Sequence, residues 1–334
     1  MPIFNPEIVY YEEKALEYEL GKLLRQKYAN LEWIAIENHN NIPFLREKSN
    51  REFVKMKRGI VVALRKTHKF VPNQKTSDFL VPYTSSGCSA SCLYCYLVCN
   101  YNKCSYLRIF VNREQMLSKI IKTTLESERN LTFEIGSNSD LVLENEYTGN
   151  LEWTIETFGK FQKGFLTLPT KFDCVDPLLS LSHFGRTIIR MSVNPEDVIR
   201  KVEFGTSSLE NRIIAINKLC EAGYPIGLLI APVIFLDGWQ ELYTNLVQTL
   251  KNNLSQKAKS QMFLEVIFMT YSYIHRMINS EAFPNAIDLF DKEKMTGRGM
   301  GKYWYKEELR TQGEVFFRTL LTENFPDAKI EYIV

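Results

Sequence analysis

The sequence predicts an α/β fold. A small α/β section comes first, then a partial or full barrel of parallel strands, then a C-terminal section able to form a β-hairpin. Three observations predict it. From about residue 79, six short apolar runs alternate with amphipathic helical stretches, the pattern of parallel strands joined by crossover helices. No Gly-x-Gly-x-x-Gly follows the first of those strands, which argues against a dinucleotide-binding sheet. The chemically suggestive residues fall just after strand ends, where barrel enzymes place their sites.

The elements follow in order. Residues 13–27 read as a helix and residues 33–39 and 59–64 as strands, closing an N-terminal section at the polar linker Pro72–Ser77. The barrel strands are Phe79–Tyr83, Leu131–Ile135, Phe165–Leu168, Ile188–Val193, Ile226–Val233 and Phe263–Phe268. Helices are expected over 112–128, 149–160, 206–222 and 238–251. Thr206, Ser207 and Ser208 are good N-caps for the third, and Gly223 ends it. The Gly-rich basic run 294–306 suits a hairpin, and a helix over 306–323 and a short apolar strand follow. The division this predicts is 1–78, 79–270 and 271–334.

Composition narrows the class. The chain of 334 residues is long enough for a substantial core, and 45% apolar with 24% charged residues is ordinary for a globular protein. The first residues lack a basic stretch followed by an apolar one, and the apolar run 225–236 is too short to cross a bilayer. A cytoplasmic protein with no membrane partner, active as a monomer, is the expectation. Net charge is only +2, but residues 46–77 carry ten Lys/Arg, from Arg46 to Lys75 with Lys57 and Arg65 among them, against Glu47 and Glu52. Such a run is either a solvated surface or a face that tracks phosphates.

Seven cysteines do not make a disulfide scaffold, and an odd number cannot pair completely. Three of them are concentrated in Cys-Ser-Ala-Ser-Cys-Leu-Tyr-Cys-Tyr, residues 88–96. Thiolates at Cys88, Cys92 and Cys95 can bind three irons of a [4Fe–4S] cubane and leave the fourth open. That open iron can take the amino and carboxylate groups of S-adenosylmethionine. The competing reading is zinc, which prefers four ligands in paired knuckles; Cys99 and Cys104 are the residues that could complete such a set. Cys220 lies in a helical pattern and reads as a buried thiol, and Cys174 has the same bland reading. His39, His68, His183 and His275 have no metal-ligand spacing and read as structural or solvent-facing.

The cysteine motif resembles the radical S-adenosylmethionine superfamily. The resemblance sharpens to the spore photoproduct lyase family through blocks in the same order along the chain: 8–18, Thr-Lys-Phe-Asp-Cys-Val-Asp (170–176), Glu-Ala-Gly-Tyr-Pro-Ile-Gly (221–227), Ile-Ala-Pro-Val (230–233), Asp-Gly-Trp (237–239), Gly-Met-Gly-Lys-Tyr (299–303) and Ala-Lys-Ile-Glu-Tyr (328–332). The resemblance implies a partial (β/α)6 barrel of the TIM type with a lesion-gripping hairpin near the C-terminus. It implies reductive cleavage of S-adenosylmethionine to a 5′-deoxyadenosyl radical. That radical abstracts hydrogen from a thymine dimer lesion in UV-damaged DNA, and the lesion reverts to two thymines. A flavodoxin or ferredoxin would supply the electron.

Position by position, the resemblance makes Cys88, Cys92 and Cys95 the cluster ligands and Tyr94 and Tyr96 the tyrosines that relay hydrogen atoms. It places Ser139, Lys171, Ser192, Tyr96 and Ala231 at the cosubstrate, and Arg298, Lys302 and Tyr303 at the DNA. The family's hydrogen-donor cysteine is replaced here by Ser137, whose O–H bond is too strong to quench a carbon radical. Tyr94 and Cys174 are the candidate substitutes. A second departure is Phe268-Met269-Thr270, where the family has a polar Gln-His-Arg run, and a third is a hairpin shorter by about one residue near Arg298 that lacks a wedging tyrosine. These departures keep a second reading in view: a radical enzyme on the same scaffold acting on another nucleobase, nucleotide or small molecule. A third, a non-catalytic cluster sensor that binds DNA, leaves Ser139, Lys171 and Ser192 without a purpose.

Overall fold

The computed structural model describes residues 5–97 and 106–334. Cys99 and Cys104 lie outside them. The chain forms two compact units, one of residues 1–91, 97–168 and 181–187, the other of residues 92–96, 169–180 and 188–334.

The first unit opens with β1 (Ile8–Tyr11), α1 (Glu19–Lys27), β2 (Glu32–Ala35) and β3 (Gly59–Ala63). After β4 (Val71–Pro72), β5 (Phe79–Leu80) and β6 (Ser85–Ser86) come β7 (Leu107–Phe110) and α2 (Arg113–Glu126). One sheet has the order β2-β1-β3-β7-β6, parallel except for β6 at its edge. Strand β3, Gly-Ile-Val-Val-Ala, is buried along its whole length, as a central parallel strand covered on both faces must be. A second run of strands goes β4-β5-β8-β9, with β8 (Thr132–Glu134) and β9 (Phe165–Thr170) parallel and α3 (Leu141–Thr148) and α4 (Asn150–Gly159) between them.

The second unit carries the parallel order β10-β11-β12-β16, namely Thr187–Val193, Ile226–Val233, Phe263–Phe268 and Lys329–Ile333. Its helices are α5 (Glu196–Val202), α6 (Leu209–Glu221) and α7 (Trp239–Asn253). Strand β11 is buried at nearly every position. A Cβ on Gly227 would come within 2.6 Å of the Phe263 ring and 2.8 Å of the Arg190 side chain, so glycine there is a packing requirement. That close approach leaves room for the buried ion pair Arg190–Glu265, 3.2 Å. After β12, β13 (Thr270–Ser272) leads into α8 (Tyr273–Ala282). The antiparallel hairpin β14 (Met295–Gly299) and β15 (Lys302–Tyr305) joins β13 in the order β13-β15-β14. Helix α9 (Glu307–Asn324) then packs Phe316 and Phe317 edge-on to Trp239 and Tyr243 of α7.

Five barrel strands lie within two residues of their expected bounds, because each combines a short apolar run with flanking turns. The expected strand at 79–83 shrinks to Phe79–Leu80. The expected helix at 13–27 breaks at Tyr18, which is extended, into a 3-10 turn (Glu13–Glu17) and α1. The expected linker at 72–77 is the turn of an antiparallel pair, Val71–Pro72 against Phe79–Leu80, closed by the Asn73 N–H on the Asp78 carbonyl, 2.8 Å. Pro72 is tolerated there because an edge strand can spare one donor. Ser208 is the true N-cap of α6, accepting from the Asn211 N–H. Among the described residues, no helix is long and apolar enough to cross a membrane.

Candidate active site

The cysteine loop is held by its backbone. In the first unit, the Lys57 ammonium donates to the carbonyls of Cys88 (3.0 Å) and Ala90, and the Cys88 sulfur accepts from the Ala90 N–H at 3.4 Å. Lys57 is only 2% exposed and its ammonium lies 5.1 Å from the Phe53 ring centre. Arg65 donates to the Tyr83 and Ser85 carbonyls and sits 3.9 Å above the Phe110 ring. These two members of the basic stretch are therefore internal struts and not part of a phosphate-tracking face.

The Gly87 backbone bridges to Ser139, and the Gly87 N–H donates to the Asn138 carbonyl at 2.8 Å. The segment 137–139 thus lies against the residue preceding Cys88. Ser139 is 8% exposed and its hydroxyl has no hydrogen-bond partner among the described residues. Ser137 is half-buried. Asp140 accepts from the Leu143 N–H and caps α3.

In the second unit, the Leu93 N–H donates to the Val202 carbonyl at 2.9 Å. Its own carbonyl accepts from Asn279 at 2.7 Å, and the Cys95 carbonyl accepts from His275 Nε2 at 2.8 Å. Of its two expected readings, structural or solvent-facing, His275 takes the first: it is buried, burial lowers its proton affinity and the bond to Cys95 partly restores it. With the backbone so occupied, the sulfurs are the groups the loop offers. Cys88, Cys92 and Cys95 are half-buried and in no disulfide. Tyr96 is 51% exposed, whereas the Tyr94 hydroxyl points inward and donates to Glu203.

Glu203 centres a buried polar knot within the second unit. One oxygen accepts from Tyr94, from Asn194 at 2.8 Å and from Lys171 at 3.3 Å. The other accepts from Arg212 at 2.6 Å. Burial alone raises its pKa, but the Lys171 and Arg212 charges and the Tyr94 and Asn194 bonds overcome it and hold the carboxyl at about 2. The Tyr94 phenol moves the other way, up, through burial and then the neighbouring Glu203 charge. Lys171, Ser192 and Ala231 come together here: the ammonium donates to Ser192 Oγ (2.5 Å) and the Ala231 carbonyl (2.7 Å), and Ser192 Oγ donates to that same carbonyl (2.8 Å). This is an ammonium and a hydroxyl at the ends of parallel strands, suited to a carboxylate or ribose.

The remaining predicted residues are scattered. Cys174 is half-buried on a segment tied down by Ser207, which accepts from the Asp173 N–H at 3.0 Å and donates to its carboxylate. Cys220 is fully buried, and burial pushes its thiol up to about 11. Arg298, Lys302 and Tyr303 lie on the hairpin. Arg298 and Arg310 each hold a guanidinium 4.7–4.8 Å from the Trp304 ring, and Tyr303 packs edge-on to Phe290. Gly299 and Gly301 take positive φ at the turn, leaving Met300 between them 96% exposed. Phe268 and Met269 are buried, with Phe268 against Phe235 and Phe317. Sequence reading missed Lys57, Asn194, Glu203, Arg212, His275 and Asn279. The only sequence signal was a charge in apolar company, Glu203 between Val202 and Phe204.

The chain matches the spore photoproduct lyase family over residues 4–334. It belongs to that family. It is 34% identical to the spore photoproduct lyase of Bacillus subtilis and 32% identical to that of a Geobacillus species, with 98–99% of each chain covered. Among solved structures, a spore photoproduct lyase complexed with dinucleoside spore photoproduct is similar with a TM-score of 0.92 and 30% identity, over 99% of this chain and 100% of the other. A mutant with bound AdoMet and dinucleoside spore photoproduct gives the same values. The fold read from the sequence, α/β with a partial barrel of parallel strands, is the fold of these structures.

The residues fit the family's cofactors on their own chemistry. Three thiols outside disulfides share one backbone-pinned loop. The buried Ser139 hydroxyl without a partner and the Lys171 ammonium are donors of the kind a cosubstrate carboxylate or ribose needs. Among the described residues, no three His, Cys, Asp or Glu side chains are gathered into a metal-holding group. The fit therefore rests on the thiols and their loop and not on a preformed cage.

Proposed function

We propose that the chain is a radical S-adenosylmethionine lyase acting on the spore photoproduct in DNA. The observation that carries this is the match along the whole length of a family whose solved members bind AdoMet and dinucleoside spore photoproduct, in a chain that has the three-thiol loop. Cys88, Cys92 and Cys95 would hold a [4Fe–4S] cluster, and Ser139, Lys171, Ser192, Tyr96 and the Ala231 backbone would hold S-adenosylmethionine. Together these supply a 5′-deoxyadenosyl radical, which takes a hydrogen atom from the lesion. Lys171 donates to Ser192 and Ala231 and is paired with Glu203 at 3.3 Å, so the knot holds its ammonium at the strand ends where the cosubstrate would bind. Glu203 fixes the Tyr94 ring beside it. The parts 1–78, 79–270 and 271–334 would then serve as N-terminal support, radical-forming barrel and substrate-contacting section. A flavodoxin or ferredoxin as electron donor, a monomeric state and a cytoplasmic location complete the proposal.

The test is anaerobic reconstitution with a strong reductant, then assay for 5′-deoxyadenosine and for conversion of dinucleoside spore photoproduct to thymines. Absence of 5′-deoxyadenosine would overturn the reading. Ser137 sets a further expectation. Its O–H cannot return a hydrogen atom to the product radical, so Tyr94 or Cys174 would have to do so, more slowly. Repair by the parent chain is expected to be slow and to leave adducts. The Ser137→Cys variant should repair faster, with fewer adducts by chromatography. Equal product profiles would refute the role given to this position.

One observation favours the second reading, a different nucleobase substrate: Phe268 and Met269 belong to the aromatic core and offer no polar group to a lesion. DNA binding separates the two. Spore-photoproduct duplex should bind more weakly as salt rises, and Arg298→Ala and Lys302→Ala should each lower the log–log salt slope by about 1. Fluorescence anisotropy across a salt series measures it, and no binding at low salt would favour the second reading.

A further inference from the structure

Helix α8 touches both the cysteine loop and the hairpin sheet, entirely within the second unit. His275 and Asn279, one turn apart, hold the Cys95 and Leu93 carbonyls at 2.8 and 2.7 Å. Residues four apart share a helix face, so a single face carries both grips. The same two side chains share a second partner, Tyr271 on β13. Its ring stacks on His275 at 5.2 Å and 21°, and its hydroxyl accepts from Asn279 Nδ2 at 3.0 Å. Both Asn279 N–H donors are thereby used, one on the loop and one on the strand. Tyr271 pairs across the sheet with Tyr303 of β15. The Tyr273 N–H, at the first turn of α8, donates to the Gly301 carbonyl at the hairpin tip, 2.9 Å.

A displacement of β15 thus meets a stacked ring and three hydrogen bonds before it reaches the Cys95 and Leu93 carbonyls. Bonds and dipoles around cluster-ligating residues set a cluster's electronic properties. We infer that His275 and Asn279 are positioning residues for the cluster loop, and that the hairpin acts on the cluster through Tyr271 and these two side chains. The inference rests on the cluster assignment proposed above. It adds that substrate contact at the hairpin is felt at the radical-forming centre, so that S-adenosylmethionine cleavage is held back until the hairpin is engaged.

The test uses the full chain with reconstituted cluster and bound S-adenosylmethionine, read by electron paramagnetic resonance of the reduced cluster and by its midpoint potential. Iron and sulfide content and circular dichroism accompany each sample. Tyr303→Ala, Asn279→Ala and the double variant are compared first without any lesion. Tyr303→Ala should shift the g-values or the potential, and the shift should be smaller on the Asn279→Ala background, where only the His275 route remains. Additive shifts, or none from Tyr303→Ala, would overturn the inference. Where Asn279→Ala fails to assemble a cluster, Tyr271→Phe replaces it, since it keeps the ring and removes only the acceptor.

Dinucleoside spore photoproduct is then added. The parent spectrum should shift and 5′-deoxyadenosine formation should rise, while Asn279→Ala binds the dinucleoside but shows a weakened response in both. A parent that ignores the dinucleoside yet shows the lesion-free coupling refutes the substrate and leaves the inference standing. A parent that repairs it with the Asn279→Ala response intact refutes the inference and leaves the substrate standing.

Discussion

The Cys95→Ala protein is expected to fold, to assemble no [4Fe–4S] cluster and to form no 5′-deoxyadenosine above background. The loss is complete because three thiolates are the whole protein share of the coordination, and a cubane with two cannot be retained against water and oxygen. The fold survives because the side chain is half-buried and in no disulfide, and the tie that positions this residue runs through its carbonyl to His275. Iron and sulfide analysis checks the first claim, and circular dichroism the second. The experiment also decides against zinc. A zinc site would leave the parent colourless, free of sulfide and unable to cleave S-adenosylmethionine.

Arg212→Ala should destabilise the chain by about 3–5 kcal/mol, the usual cost of removing one member of a buried, hydrogen-bonded ion pair. Arg212 is fully buried and donates to the Ser207 carbonyl (2.9 Å), the Ser192 carbonyl (2.9 Å), Thr206 Oγ1 (2.7 Å) and Glu203 (2.6 Å). Its removal strands two carbonyls and leaves Glu203 with Lys171 as its remaining close cation. The pH dependence has a definite sign. Burial raises the Glu203 pKa, but the two cations and the hydrogen bonds bring it from 4.5 to about 2. A carboxyl held below its unfolded value stabilises the fold fully above pH 4.5, and the contribution disappears as pH falls toward about 2. In Arg212→Ala the folded pKa rises, so the acid-sensitive part of that contribution shrinks. Urea titrations of both proteins between neutral and acid pH measure it. Equal midpoints at pH 7 would contradict the assignment of the knot as a stabilising centre.

Some of this protein was legible from local order. The strand positions follow from apolar runs bounded by turns, and the helices from their periodicity and caps; Ser208 capping α6 is one case. The errors have local causes too. Tyr18 breaks an apparently continuous helix because its backbone is extended, and nothing in its residue type signals that. A polar stretch at 72–77 looks like a linker, yet it is the turn between two strands, since turns and linkers draw on the same residues. Lys57 counts as surface charge in composition, yet it is buried on the Cys88 carbonyl.

The sequence by itself determined the three-thiol loop, the parallel α/β pattern and the family. Those depend on spacing along the chain, and a spacing of three or four residues fixes which groups can act together wherever the loop ends up. Tertiary structure alone decided what surrounds that loop. Glu203, Arg212 and Lys171 meet across separate elements, and His275 reaches Cys95 across 180 positions of chain. No local pattern encodes such meetings. They follow from burial, because a charge or amide taken out of water must find a partner, and which partner it finds is set by how the sheets and helices pack.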